Sequence, residues 1–327
     1  MQSYIILLAL AIISPVVFIR LADGSNLMDI PNERSSHKTK TLRGAGIISV
    51  VIFLIGISLF QKPQWWLISG LLLGATAGFL DDRYSLRASI RAVLYGISTL
   101  LIFYQLHLIY NLSLTIQLVV LFTVSLGTVN AYNFMDGING ITLIYTTIFL
   151  ITALVLSSLG YIDQQITSPI VFFLIALLPL FYLNLRVKAL AFLGDVGSVF
   201  IGFFVVYLSG LIFLERLSLL PFVFLLVYGV DSVITIVQRL LKGQNIFQAH
   251  RMHLYQLLTN EGGHNHLKIA LFYALVQLLI NLLTVVALQY AIPDNLIALV
   301  MAVAAALFYV IYKFFYVLPS LEKVNIQ

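Results

Sequence analysis

Along most of its length the chain is a succession of apolar runs separated by short polar breaks. A bilayer core of about 30 Å takes roughly 20 apolar residues per helix. Runs of that kind cover residues 3–21, 44–61, 64–80, 90–107, 114–132, 140–159, 168–184, 197–214, 218–238, 267–289 and 295–316. Backbone polar groups find no partner in lipid, so such runs cross it as helices. Only 9% of the residues are charged and 61% are hydrophobic, whereas a soluble domain is about 25% charged. The expectation is an all-α polytopic membrane protein, a single integral-membrane domain over residues 1–327 with about eleven transmembrane helices. The first run, SYIILLALAIISPVVFI, has no basic residue before it and no small-residue cleavage site after it. It is read as a span, not as a cleaved signal. Cysteine is absent from the sequence, which removes thiolate metal sites and cysteine nucleophiles.

Eleven spans put the termini on opposite sides, and the loops then alternate between two sets. Of the 18 Lys and Arg, all but Lys62 and Arg216 fall in one set. The positive-inside rule assigns that set to the cytoplasm, with the N-terminus periplasmic and the C-terminus cytoplasmic. The cytoplasmic loops are then about 22–43, 81–91, 133–140, 185–196 and 239–266. Most acids and all histidines except His107 follow the same side. The reactive residues therefore belong to the cytoplasmic face.

Five polar clusters interrupt the apolar pattern there. The first, PNERSSHKTKTLRGAGI, supplies Arg34, His37 and Arg43, with Gly44 and Gly46 opening the next run. Basic residues beside a helix N-terminus suit an anion, although an ordinary positive-inside loop accounts for the charges alone. In GFLDDRYSLRASIR, Asp81 and Asp82 are adjacent and Arg91 follows. Neighbouring carboxylates repel unless they share a cation or a proton; a solvated turn with ion pairs is the alternative. Mg²⁺ takes one or two carboxylates together with substrate phosphates. In NAYNFMDGING, Asn133 and Asp136 share a helical face, and helix capping needs fewer polar residues than are present. Asp195, between glycines in AFLGDVGSVFIG, is either a helix cap or a metal ligand on a tight turn. In QAHRMHLYQLL, His250 and His253 flank Arg251. No third zinc ligand stands nearby, so phosphate binding suits them better; an amphipathic loop on lipid headgroups is the alternative. Asp231, inside a span, either lines a site or pairs with a polar neighbour. Carboxylates for Mg²⁺ beside cations for phosphate are the chemistry of phosphoryl transfer.

In order and spacing, GFLDD, NAYNFMDGING, FLGDVGS and HRMHLYQ resemble the motifs of the polyprenyl-phosphate N-acetylhexosamine-1-phosphate transferases, glycosyltransferase family 4. This family includes the MurNAc-pentapeptide phosphotransferase of peptidoglycan synthesis. The PNERSSH loop and the HRMH form are most similar to the bacterial O-antigen-initiating branch. The resemblance extends from about residue 23 to 260. It implies transfer of a sugar 1-phosphate from a UDP-N-acetylhexosamine to undecaprenyl phosphate at the cytoplasmic face of a bacterial inner membrane. UMP is released, and the product starts lipopolysaccharide or other envelope polysaccharide synthesis. It further implies catalytic roles for Asp81, Asp82 and Asp136, and Mg²⁺ (Mn²⁺ as substitute) on Asp195 and Asn133. Arg34, His37, Arg43, Arg91, His250, Arg251 and His253 would bind substrate, with Arg91, Arg251 and His250 neutralising phosphate charge. Membrane lipids and, in one arrangement, a second copy in a homodimer are further partners; nucleic acid is not one.

Three departures from the family pattern stand out. Asn139 occupies a position where many members have Asp, and is expected to be the least essential of its motif. KTLRGAG replaces a P-T-P-R-G-G-G pattern, which puts more weight on Arg43 and Gly44 than on their neighbours. Arg91 stands where many members carry Lys, and its planar fork changes the donor geometry. A transporter for a nucleotide sugar or other anion is the rival reading, since charges and broken helices inside membranes also mark transport paths. Against it, the polar residues gather on one face and the sequence has no visible inverted repeat.

Overall fold

The computed structural model describes residues 2–22, 28–29, 40–62, 64–108, 115–245, 248 and 250–324. Arg34 and His37 lie outside them. The elements in chain order are α1 (Gln2–Ala22), β1 (Met28–Asp29), β2 (Thr41–Leu42), α2 (Ile47–Phe60), α3 (Trp65–Tyr84), α4 (Ala88–Gln105), α5 (Thr115–Met135) and α6 (Ile141–Ser158). A 3₁₀ turn (Gln164–Ile166) leads into α7 (Thr167–Asn184), then α8 (Gly194–Arg216), α9 (Leu220–Val223), α10 (Leu226–Leu241) and α11 (Leu254–Gln256). A π turn (Leu257–Glu261), α12 (His266–Gln289), α13 (Asp294–Val310), a second π turn (Ile311–Val317) and α14 (Leu318–Val324) complete the chain. The short strands pair antiparallel, Met28 opposite Leu42.

Every expected apolar run contains helix. Among the described residues, seven helices are long and apolar enough to cross a membrane: α1, α4, α6, α7 with its 3₁₀ turn, α8, α12 and α13 with its π turn. The chain is thus an all-α polytopic membrane protein. The run 218–238 is split into α9 and α10. Gln277 of α12 splints the break: its Nε2 donates to the Val223 carbonyl (3.0 Å) and its Oε1 accepts from the Val227 amide (3.0 Å). The Tyr145 hydroxyl accepts from the Tyr228 amide at 3.3 Å. Backbone groups freed at the helix ends are satisfied from neighbouring helices, as a membrane interior requires.

Helix α8 is the axis of the bundle, almost wholly buried against α3, α5 and α2. Small residues permit the close approach, as in other membrane bundles. A Cβ on Gly46 would strike the Gly197 backbone, and one on Gly78 would come within 2.5 Å of the Asp195 carbonyl oxygen. Deeper in, Phe53, Phe173, Phe200 and Phe204 form one aromatic cluster, with Phe173 and Phe204 stacked at 3.8 Å. These contacts set α8 against α2, α3 and α7, and so fix where its N-terminus emerges.

Candidate active site

At that emerging end, the N-terminus of α8 meets the loop before α2, the C-terminus of α3, the start of α4 and the C-terminus of α5. The first contact is a cap supplied in trans. Asp82 Oδ1 accepts from the Asp195 amide (2.9 Å) and Oδ2 from the Val196 amide (3.1 Å). A carboxylate there satisfies orphan N–H groups and opposes the helix dipole. This explains why α8 begins at Gly194, three residues before the apolar run. Gly194 has φ +72°, and a Cβ on it would lie 2.5 Å from Asp82 Oδ2, so glycine is required for the cap to close.

Arg43 binds the two acids together. Its Nε lies 2.7 Å from Asp82 Oδ1 and its Nη2 2.9 Å from Asp195 Oδ1. The arginine is held by its own backbone frame. The Phe192 amide donates to the Leu42 carbonyl (2.7 Å), the Ala45 amide to the Phe192 carbonyl (3.0 Å), and the Gly46 amide to the Leu193 carbonyl (2.9 Å). Gly44, at φ +84°, makes the turn. Asp81 turns the other way: Oδ2 meets Arg91 Nη1 at 2.6 Å and Oδ1 accepts from the Leu86 amide at 2.7 Å. Three carboxylates therefore face two guanidiniums. The side chains of Asp82 and Asp81 are 3% and 6% exposed, and that of Asp195 is 20% exposed, which makes Asp195 the most accessible acid.

The central motif joins from α5. Asn133 Nδ2 donates to Ser198 Oγ on α8 (3.3 Å). Asp136 is half-buried just past the helix end. Burial pushes its carboxyl up to about 7; the Thr142 hydroxyl, which favours the ionised form, offsets part of this, and Asp82 and Arg43 act on it from the neighbouring cluster. The folded-state value is above the ordinary 3.8, so folding penalises the ionised form. That penalty is absent at low pH, grows from about pH 4 to pH 7 and is complete above. The wild-type melting midpoint in detergent is expected to fall between about pH 5 and pH 8, and Asp136→Asn should flatten the decline.

Asn139 has a defined structural task. Its Nδ2 donates to the Arg186 carbonyl (2.8 Å) and, longer, to that of Val187 (3.4 Å). Beside it, the Gly140 amide donates to Asn184 Oδ1 (2.7 Å), and Asn184 Nδ2 reaches the Ala191 carbonyl (3.2 Å). Together the two amides clamp the turn before α6 to the loop before α8. An ionised carboxylate has no hydrogen to donate, so the family's common Asp would not fit this clamp. Asn139→Asp is expected to cost about 2 kcal/mol, read as a lowered melting midpoint at neutral pH.

The HRMH segment docks on the same motif. Tyr255 Oη donates to the Phe134 carbonyl at 2.8 Å, and Gly137 leaves room for that hydroxyl. His253 is buried, with Nδ1 3.1 Å from Asp231 Oδ1. His250 is half-buried and pushed down to about 4 by burial, with the cations Arg239 and Lys313 acting in the same direction. The neutral form of its ring is therefore favoured near pH 7. Arg251 is half-buried. Asp231 pairs with polar neighbours, one of the two alternatives its sequence left open. Sequence reading passed over Ser198, Asn184, Tyr255 and Lys313 as site-building residues. Only Lys313 carried a local signal, as a single charge in an apolar run.

The donors at this end of the bundle are oxygens, the type a hard cation takes. Among the described residues no group of three or more His, Cys, Asp or Glu is arranged to hold a metal, so a closed, all-protein site is not built. The oxygen donors that Asp195 and Asn133 carry are of the class a hard divalent cation takes together with substrate phosphates and water.

Comparison with known sequences places the chain among transferases by similarity. The sequence model of "Glycosyl transferase family 4" matches residues 64–212, the segment holding Asp81, Asp82, Arg91, Asn133, Asp136 and Asp195. A probable undecaprenyl-phosphate N-acetylglucosaminyl 1-phosphate transferase of Bacillus subtilis (strain 168) is 26% identical over 287 residues, 82% of this chain and 79% of that protein. The undecaprenyl-phosphate alpha-N-acetylglucosaminyl 1-phosphate transferase of Salmonella typhi is 27% identical over 72% of this chain and 70% of its own. The phospho-N-acetylmuramoyl-pentapeptide-transferase of Lactococcus lactis subsp. cremoris is 27% identical over 62% and 68% respectively. The chain is thus similar to glycosyl transferase family 4 over residues 64–212, and to undecaprenyl-phosphate N-acetylglucosaminyl 1-phosphate transferases along most of its length.

Proposed function

We propose that the protein transfers an N-acetylhexosamine 1-phosphate from a UDP-sugar to undecaprenyl phosphate, releasing UMP, at the cytoplasmic face of the inner membrane. The observation that carries this reading is the convergence of Asp81, Asp82, Asp195, Arg43 and Arg91 at one end of a membrane bundle. The names of the relatives support the acceptor and donor classes. Two of those cited are N-acetylglucosaminyl transferases, which makes UDP-N-acetylglucosamine the first donor to assay. The transporter reading is disfavoured, since these relatives are transferases and the acids sit at one end of the helices.

In the proposed reaction an oxygen of the lipid phosphate attacks the β-phosphorus of the UDP-sugar in line. The bond from that phosphorus to the bridging oxygen breaks, and its electron pair leaves with UMP. Mg²⁺ held by Asp195 and Asn133 would supply Lewis-acid neutralisation of phosphate charge. Arg91 and Arg251 bind phosphate oxygens, and Arg43 keeps Asp195 oriented. Asp82 is committed to capping α8 and positions Asp195 through that helix. Asp81, carrying Arg91, positions the lipid phosphate. A phosphate monoester's second pKa is about 6, so attack near neutral pH needs no strong base. Purified protein in detergent, given undecaprenyl phosphate and a panel of UDP-N-acetylhexosamines, should release UMP with divalent cation and cease with a chelator. Uptake of the nucleotide sugar into vesicles without UMP formation is the result that would favour transport.

A further inference from the structure

Asp231 and Lys313 lie outside the segment matched by the family model, each inside an apolar stretch, and both side chains are fully buried. A lone charge in such a place is costly and usually has work to do. Here the two belong to one network. Asp231 Oδ2 accepts from the Tyr273 hydroxyl (2.6 Å). Its Oδ1 accepts from the hydroxyls of Tyr309 (2.8 Å) and Thr235 (3.2 Å) and from the Leu254 amide (3.3 Å), and faces His253 Nδ1 (3.1 Å). Lys313 Nζ donates to Thr235 Oγ1, to the Tyr309 hydroxyl (both 3.0 Å) and to the Met252 carbonyl (2.8 Å). Helices α10, α12 and α13, with the π turn after α13, thus converge on residues 252–254.

The consequence falls on one atom. An ionised carboxylate only accepts hydrogen bonds, so the proton between Asp231 and His253 rests on Nδ1. In the tautomer that carries its hydrogen on Nδ1, Nε2 is the acceptor. The His253 side chain is 3% exposed, and its Nε2 has no hydrogen-bond partner among the described residues. Buried polar atoms are nearly always partnered, so an unpartnered nitrogen on a ring held this firmly points to a ligand. The ring lies 6.4 Å from that of Phe134 in the central motif and 4.9 Å from that of His250.

We propose that Asp231 is a positioning residue that fixes the tautomer of His253, so that Nε2 accepts a hydrogen bond from an O–H or N–H group of the nucleotide-sugar donor, with Lys313 securing the loop backbone. This rests on the reading that the donor is a UDP-sugar. A bond made in both ground and transition states lowers KM more than it raises kcat. Asp231→Asn can turn its amide toward Nδ1 and move the ring proton to Nε2, converting the acceptor into a donor.

The test is binding of UDP-N-acetylglucosamine by calorimetry in detergent, alongside the kinetics of UMP release. Asp231→Asn is expected to weaken binding about 10- to 100-fold and to raise KM by a similar factor, with kcat within about threefold. Asp231→Glu, which keeps the carboxylate, should recover most of the affinity. His253→Gln is the second variant and leaves Asp231 in place; it should lose the same factor, and the double variant no more. UMP as a competing ligand locates the hydrogen: weaker UMP binding assigns it to the nucleotide, unchanged UMP binding to the sugar. Wild-type affinity in Asp231→Asn, or losses that multiply in the double variant, would overturn the inference, as would absence of donor binding to the wild type. A wild type that binds the donor but releases no UMP would overturn the transfer reading alone.

Discussion

Asp195→Asn should lower metal-dependent UMP release by about 10³-fold while the melting midpoint in detergent stays within a few degrees of wild type. The reasoning starts from what each acid already does. Asp82 is taken up by two backbone amides and Arg43. Asp81 is taken up by Arg91 and the Leu86 amide. Asp195 makes one ion pair, to Arg43 Nη2, and is the most exposed of the three. Its carboxylate is thus the one best able to meet a cation. Asparagine keeps the volume and a carbonyl oxygen for Arg43, which also retains Asp82, so the local frame survives. What disappears is the charge that holds a divalent ion against a diphosphate. Unaltered UMP release would remove Asp195 from the site, and a collapse of the melting midpoint would make its part structural.

Much of this arrangement is legible in the sequence, because the membrane imposes one strong rule. Long apolar runs must be helices, so their positions follow from hydropathy alone. The four polar motifs at run ends point to the same face for the same reason. What local sequence does not carry is the division of labour between neighbours. Asp81 and Asp82 are adjacent and chemically identical, yet one turns to Arg91 and the other to α8, 113 residues further along. Packing decides this, through the approach that Gly78 allows to the Asp195 backbone. The break between α9 and α10 is likewise set from a distance, by Gln277 on α12. Asn139 is a comparable case: set beside relatives it looks expendable, because the expectation concerned a carboxylate's chemistry, whereas its amide fastens two loops. Asp231 and Lys313 were visible as single charges in apolar runs, but their shared partners, Thr235 and Tyr309, bring together elements 78 residues apart.

The trans cap makes Asp82 the acid whose loss should be felt first in folding. Asp82→Ala removes the acceptor for the Asp195 and Val196 amides and one of the two carboxylates on Arg43. Loss of a helix cap costs about 0.5–2 kcal/mol, and hydrogen bonds to a charged group are worth about 1.5–3 kcal/mol each. Arg43 is 35% exposed, so solvent screens its contribution and little of the ion pair should be counted. A total of about 3 kcal/mol is expected, seen as a melting midpoint lower by about 5 °C or more. Activity should fall with it, because the first turn of α8 is what carries Asp195. Asp82→Asn should recover part of both, since its carbonyl oxygen can still accept from one of the two amides. The contrast with Asp195→Asn is the informative part: one variant is expected to lose stability and activity together, the other activity alone. If Asp82→Ala melts like the wild type yet releases no UMP, the carboxylate acts in the chemistry itself, and capping of α8 is the lesser of its roles.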